Sequence, residues 1–192
     1  EQIIGQMPSI QVGNFLFRNN GDMTFSKTTS EWGINRLFKS NGAAYADLDN
    51  DGDIDLAINT MNEKAAVYRN STSENHKANF LKVDLRKSNP NRIIVGTKVI
   101  AYSAGNIQYQ EFSPVRGFQS ALHVPLLFGV STHTLVDSVR VIWPDNRTQL
   151  LTGVPVQQPL TPRYEEAMST YNYAGPAEPL FKETQLLNWK HA

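Results

Sequence analysis

Asp47-Leu48-Asp49-Asn50-Asp51-Gly52-Asp53-Ile54-Asp55-Leu56 carries the densest chemical signal in the chain. Aspartate stands at every second position from 47 to 55, with Gly52 among them. Carboxylates packed so closely repel one another and destabilise a folded loop unless a cation neutralises them. Ca²⁺ suits that task, because it takes about six to eight hard oxygen ligands from carboxylates, backbone carbonyls and water. Gly52 allows the sharp turn that aims successive oxygens at one centre. The metal-ligand candidates are therefore Asp47, Asp49, Asp51, Asp53 and Asp55. Asp47, Asp49, Asp51 and Asp55 would act through their side chains, and Asp53 through its backbone carbonyl. The alternative is a solvated acidic turn that holds no metal.

The residues around the loop decide its setting. An EF-hand closes with a bidentate Glu at its twelfth position, and here that residue is Ile58. An EF-hand also needs helices on both sides. The flanks are instead Ala43-Ala44-Tyr45-Ala46 and Leu56-Ala57-Ile58-Asn59-Thr60, short apolar runs beside turn signals. Runs of that kind read as strands, so the site is expected in a strand–loop–strand unit.

Bulk composition agrees with a β protein. The 192 residues include 12 Gly and 10 Pro, and 40% are hydrophobic, which suits a turn-rich fold with a core. Formal net charge is zero, so no global field favours nucleic acid or an anionic membrane. Cysteine is absent, which excludes disulfides, a thiolate nucleophile and Cys-based zinc sites. No apolar run approaches the roughly 18 residues of a membrane span, and no signal peptide opens the sequence.

Further out, the chain repeats itself. Leu16-Phe17-Arg18-Asn19 returns as Val67-Tyr68-Arg69-Asn70, and Phe25-Ser26-Lys27-Thr28 is echoed by Phe181-Lys182-Glu183-Thr184. The intervening Asn19-Asn20-Gly21-Asp22-Met23-Thr24 reads as a tight turn between two strands. Repeats of about 40–50 residues built from short strands suggest propeller blades, and a lone repeat cannot bury its face without neighbours. Three regions are expected: 1–77 with the repeat and its acidic loop, an inserted β domain over 78–162, and 163–192 as linker and start of a further repeat. In the middle region Phe80–Leu85, Val95–Tyr102, Ile107–Phe112 and Val136–Trp143 have strand patterns. Ala104-Gly105-Asn106 is expected to join two of them, and Tyr164–Met168 to form one or two helical turns.

Two segments resemble known families. The acidic loop followed by Val67-Tyr68-Arg69-Asn70 resembles the FG-GAP/VCBS repeat of integrin-like β-propellers. Asn19-Asn20-Gly21-Asp22-Met23-Thr24-Phe25 matches its other common element, with Met23 where Gly is more usual. The second segment resembles the ASPIC/UnbV domain. The carriers are Gly96-Thr97-Lys98-Val99, Arg116-Gly117-Phe118-Gln119-Ser120, Phe128-Gly129-Val130 and Val136 to Pro144, with Val130-Ser131 where that family more often has Leu-Gly. The pairing resembles cartilage-acidic-protein-like and bacterial VCBS-repeat proteins. It implies an all-β fold, with a partial propeller-type unit and a β-sandwich-like domain. It also implies a secreted or cell-surface location, and calcium at Asp47, Asp49, Asp51, Asp53 and Asp55. It transfers no catalytic residue.

Other constellations are weaker. His76, His123, His133 and His191 are scattered and form no zinc-helix pair. Glu165-Glu166 reads as a solvated face rather than a glycosidase pair. Trp143 reads as a core aromatic or else as a platform for a sugar ring. Arg116–Gln119 reads as a structural bend at Gly117 or else as a binding loop. Asn70-Ser71-Thr72 and Asn146-Arg147-Thr148 match the glycosylation sequon. The function expected is calcium-dependent adhesion or ligand binding at a cell surface, with a protein or glycan partner, no nucleic acid and no catalysis. The alternatives are a carbohydrate-active enzyme or its accessory domain, and a purely structural propeller fragment.

Overall fold

The computed structural model describes residues 12–85 and 94–175. The echo at Phe181–Thr184, His191 and the expected start of a further repeat lie outside the described residues.

Strands β1 (Phe17–Asn19) and β2 (Phe25–Lys27) pair antiparallel, with Phe17 opposite Lys27. Their link is an Asx-type turn: the Asn19 carboxamide accepts from the Gly21 N–H at 2.8 Å, and Gly21 takes a φ of +83°. Met23, where the resembling repeat more often has Gly, also takes the left-handed region, with φ +66°.

Next comes a three-stranded antiparallel meander of β3 (Ser40–Ala46), β4 (Asp55–Thr60) and β5 (Ala66–Tyr68). Its own core is small. Phe38, Ile58 and Ala66 are buried, and Ala43, Leu56 and Tyr68 are only partly covered. Tyr45 and Val67 remain exposed. That is the pattern of a repeat unit whose faces need neighbours. A short helix α1 (Thr72–His76) follows β5 and ends at Lys77 in the left-handed conformation.

The larger core belongs to a sandwich. Its strands are β6 (Phe80–Val83), β7 (Lys98–Ser103), β8 (Asn106–Glu111), β11 (Leu126–Gly129), β12 (Leu135–Ile142), β13 (Arg147–Pro155), β14 (Pro159–Leu160) and β15 (Ser169–Thr170), while β9 (Val115–Gly117) and β10 (Ser120–Ala121) form a separate two-stranded hairpin. A five-stranded sheet in the order β15-β13-β12-β7-β8 faces a three-stranded sheet in the order β11-β6-β14. Between them lie Leu81, Val83, Val99, Phe112, Phe128, Val136, Val139, Val141 and Trp143. Each such side chain contributes roughly 1.5–3 kcal/mol of transfer free energy. Gln108 and Gln110 on β8 donate to the Gly129 and Leu127 carbonyls on β11, tying the two sheets together along one side.

The alternating patterns produce these strands within a few residues of the expected limits. Ala104 and Gly105 both take positive φ, +48° and +81°, the geometry of a two-residue hairpin turn of the kind that matches strand twist. Strand β13 carries no clean alternation in Arg147–Pro155 and is placed by pairing with β12, Leu135 opposite Pro155 through Ile142 opposite Thr148. The packed unit also runs past residue 162. Tyr164 and Ala167 lie in its core, and β15 pairs with β13. Tyr164–Glu166 is a single 3-10 turn.

Candidate metal centre

The acidic loop is the connection between β3 and β4. Ala46 ends one strand, Asp55 begins the other, and the two are paired. Between them Asn50 and Gly52 take φ of +63° and +94° and reverse the chain. This brings together Asp47, Asp49 and Asp51, each with a carboxylate oxygen within 4.8 Å of the other two. Among the described residues this group can hold a metal ion.

Asp53 and Asp55 sit differently. Asp55 is buried where β4 starts. Its Oδ2 accepts from the Leu48 N–H at 2.9 Å and its Oδ1 from the Asn70 N–H at 2.8 Å, so it staples the loop to the end of β5. Asp53 Oδ2 accepts from the Ser73 N–H at 2.9 Å at the start of α1, and the Asp53 N–H donates to Asp51 Oδ1 at 3.1 Å. The five aspartates of the sequence pattern thus divide into a three-carboxylate cluster and two side chains bonded to backbone N–H groups.

Electrostatics follows from this division. Burial pushes the Asp53 carboxyl above its ordinary value, helped by the Asp51 and Asp55 charges, while the Ser73 N–H offsets part of the rise. Burial also acts upward on Asp51, but the Asp53 N–H, the nearby Ser73 hydroxyl and Arg69 outweigh it and hold Asp51 below the usual range.

Two protein cations approach the cluster. Arg69 Nε meets Asp49 Oδ2 at 2.6 Å, and its guanidinium also contacts Asp51 at 3.6 Å and Glu74. Lys82 Nζ lies 2.8 Å from Asp47 Oδ2, off hydrogen-bond alignment, and donates to the Asn50 carboxamide at 3.3 Å. Even so, carboxylates outnumber these cations. Asp47 Oδ1 and Asp53 Oδ1 are buried and accept no hydrogen bond. A buried charged acceptor left without a donor costs at least about 1–3 kcal/mol. An all-oxygen, anionic donor set of this kind fits a hard divalent cation and not a soft one.

Trp143 is buried, edge-on to Tyr164 at 5.5 Å between ring centroids, which makes it a core aromatic and not a sugar platform. The Arg116–Ser120 motif forms β9, a turn with Gln119 at φ +49°, and β10, and this hairpin rests against β3. The fit is tight: a Cβ on Gly42 would fall 2.6 Å from the Phe118 carbonyl oxygen. Asn70 uses its carboxamide locally, accepting from the Thr72 N–H and hydroxyl and donating to the Ile54 carbonyl. Arg69 and Lys82 stand outside the set of site residues that the sequence alone suggests. Arg69 had a signal, since Arg-Asn recurs at the end of each repeat. Lys82 had none, being one polar position of an alternating strand.

A cleft of about 870 Å³ opens beside the loop, where Ile54 and Asp55 meet Trp32, Tyr45, Tyr68 and Arg69. Trp32 and Tyr45 are exposed, and the Tyr68 hydroxyl is buried without a hydrogen-bond partner.

Two known families match parts of this chain. Residues 7–58 match the FG-GAP-like repeat, and residues 87–169 match ASPIC and UnbV. No curated protein matches the chain. No helix among the described residues is long and apolar enough to cross a membrane.

Proposed function

We propose that this chain, which joins an FG-GAP-like repeat to an ASPIC and UnbV domain, is a calcium-stabilised binding module of an extracellular propeller-type protein, without catalysis of its own. One observation carries the reading: the clustered carboxylates of Asp47, Asp49 and Asp51, with a buried Asp47 oxygen that accepts no hydrogen bond. Calcium would take its ligands from these side chains and from the loop backbone at Asp53. Asp55 would hold the loop closed and complete the shell where its oxygens allow. Bound at a hundredfold excess over Kd, the ion would stabilise the fold by about 2.7 kcal/mol. Millimolar extracellular calcium suits weak sites of this type.

The partner is proposed to be a protein or a glycan held at the neighbouring cleft. Exposed Trp32 and Tyr45 supply apolar faces, and Arg69, Asn75 and the Tyr68 hydroxyl supply polar contacts. Aromatic faces with a few convergent polar groups are what such ligands require. We further propose that the repeat occupies about 1–77, that the second domain begins near 78, and that the tail leads into another repeat.

The test is calorimetric titration of Ca²⁺ into the whole chain and into Asp51→Ala, with a glycan array probed in calcium and in EDTA. Heat of binding that is lost in the variant supports the metal. Glycan retention without cleavage, dependent on calcium, supports the glycan arm, and release of reducing ends would refute the non-catalytic reading. A second reading rests on the thin core of β3–β5 and its exposed Tyr45 and Val67. Under it the open face is covered by a further propeller repeat, and the isolated chain binds calcium but no partner.

A further inference from the structure

Strand β6 faces two ways. Leu81 and Val83 are wholly buried in the sandwich core. The alternate residues, Phe80 and Lys82, point at the acidic loop of the repeat: the Phe80 ring lies on Gly52, and Lys82 Nζ lies 2.8 Å from Asp47 Oδ2. Both partners of that ion pair are removed from solvent. The Lys82 side chain is 15% exposed and that of Asp47 is 7% exposed. Asp47 is also a member of the three-carboxylate cluster, and its second oxygen has no hydrogen-bond partner. A single buried carboxylate thus belongs to two sites: a fixed ammonium from the sandwich and the metal-capable pocket of the repeat.

We propose that Lys82 is a built-in competitor of calcium at Asp47, through which the sandwich sets the metal affinity of the loop and calcium in turn loosens the hold of β6 on the repeat. The inference rests on the calcium reading given above. The physics is mutual exclusion of like charge. An ammonium and a divalent cation on one poorly screened carboxylate repel strongly, so whichever is bound weakens the other. Such coupling is reciprocal: if Lys82 lowers calcium affinity by some factor, calcium lowers the affinity of Lys82 for Asp47 by the same factor. Without calcium, Lys82 compensates Asp47 and keeps the loop folded. With calcium, the ion does so, and the joint between repeat and sandwich rests on Phe80 against Gly52 and on the β9–β10 hairpin against β3.

The experiment compares the whole chain with Lys82→Met, which keeps the apolar stem and removes the charge, and with Lys82→Arg, which keeps the charge. Calcium is titrated calorimetrically, and thermal unfolding is followed in EDTA and in calcium. The expected result is calcium binding about tenfold tighter in Lys82→Met and near the parent value in Lys82→Arg. In EDTA Lys82→Met unfolds at a lower temperature than the parent, and calcium removes that deficit. Should Lys82→Met fold only when calcium is present, the ion is replacing the ammonium and the proposal stands. Unchanged or weaker binding by Lys82→Met, beside normal binding by the parent, overturns the competition and leaves the calcium site intact. Failure of Lys82→Met to fold in either condition also overturns it, since calcium then cannot take over from the ammonium. Absence of binding in parent and variants alike removes the calcium reading itself, and the competition with it.

Discussion

The Phe80 ring is seated on Gly52, so closely that a Cβ at Gly52 would fall 1.9 Å from ring atom Cδ1. Two separate demands meet at this glycine. Its φ of +94° suits no side chain well, and the space above it is filled by a residue from another sheet. Gly52→Ala is expected to destabilise the chain by about 3 kcal/mol, from left-handed strain together with overpacking. In a denaturant titration the loss should shrink when Phe80→Ala is added, because the double variant removes the clash. Strict additivity of the two changes would contradict the contact.

On the calcium reading proposed above, the acidic loop divides a folding role from a binding role. Asp55 satisfies two backbone N–H groups, so Asp55→Ala should cost about 3 kcal/mol already in EDTA. Asp49→Ala should matter little in EDTA, because its contact is an exposed pair with Arg69. In calcium the same variant should lose most of the metal-dependent rise in Tm. Melting curves for both variants, with and without the ion, read out this difference, and identical profiles for the two would count against the division.

Two departures from family glycines carry a cost. Met23 and Ser131 stand where the resembling families more often have glycine, and both take the left-handed region, with φ of +66° and +54°. Met23→Gly and Ser131→Gly should each stabilise the chain by up to about 1 kcal/mol, backbone relief exceeding the extra freedom of glycine in the unfolded state. A fall in the urea midpoint for both would show that the left-handed conformation is not strained here.

Tyr164 donates from its hydroxyl to Asp145 Oδ2 at 2.6 Å, which is the main reason that Asp145 lies below its ordinary value of 3.8. A depressed carboxyl adds stability above its unfolded pKa and loses it as pH falls through the folded one. Tyr164→Phe should therefore destabilise by about 1 kcal/mol near neutral pH and by less in acid, once the pH falls well below 3.8. Denaturation at the two pH values checks the sign. A deficit of the same size in acid would show that the loss does not come from the bond to the Asp145 carboxylate.

Much of this arrangement is visible in the chain before folding. Alternation in Phe80–Val83, the two-residue Ala104-Gly105 turn and the run from Val136 to Trp143 each specify local structure, because side chains on a strand alternate between faces. Strand β13 was less visible, since Thr148 and Gln149 are adjacent buried polar residues that break the alternation, with Thr148 donating to the Val141 carbonyl. The sequence of 164–168 reads as a helical turn but does not place it in the core, because Tyr164 and Ala167 are interrupted by two exposed acids.

For this protein the sequence by itself determined the all-β class, the two family segments and the acidic strand–loop–strand unit, since strand periodicity, turn residues and carboxylate spacing are local properties. Only the tertiary structure decided which carboxylates converge, that Asp55 and Asp53 bond to distant N–H groups, and that Lys82 and Phe80 reach the loop. The bonds of Asp53 and Asp55 depend on the fold of the repeat, and the contacts of Lys82 and Phe80 join residues about 30 apart, with energy from burial and charge neutralisation that exist only once the sandwich is packed against the repeat.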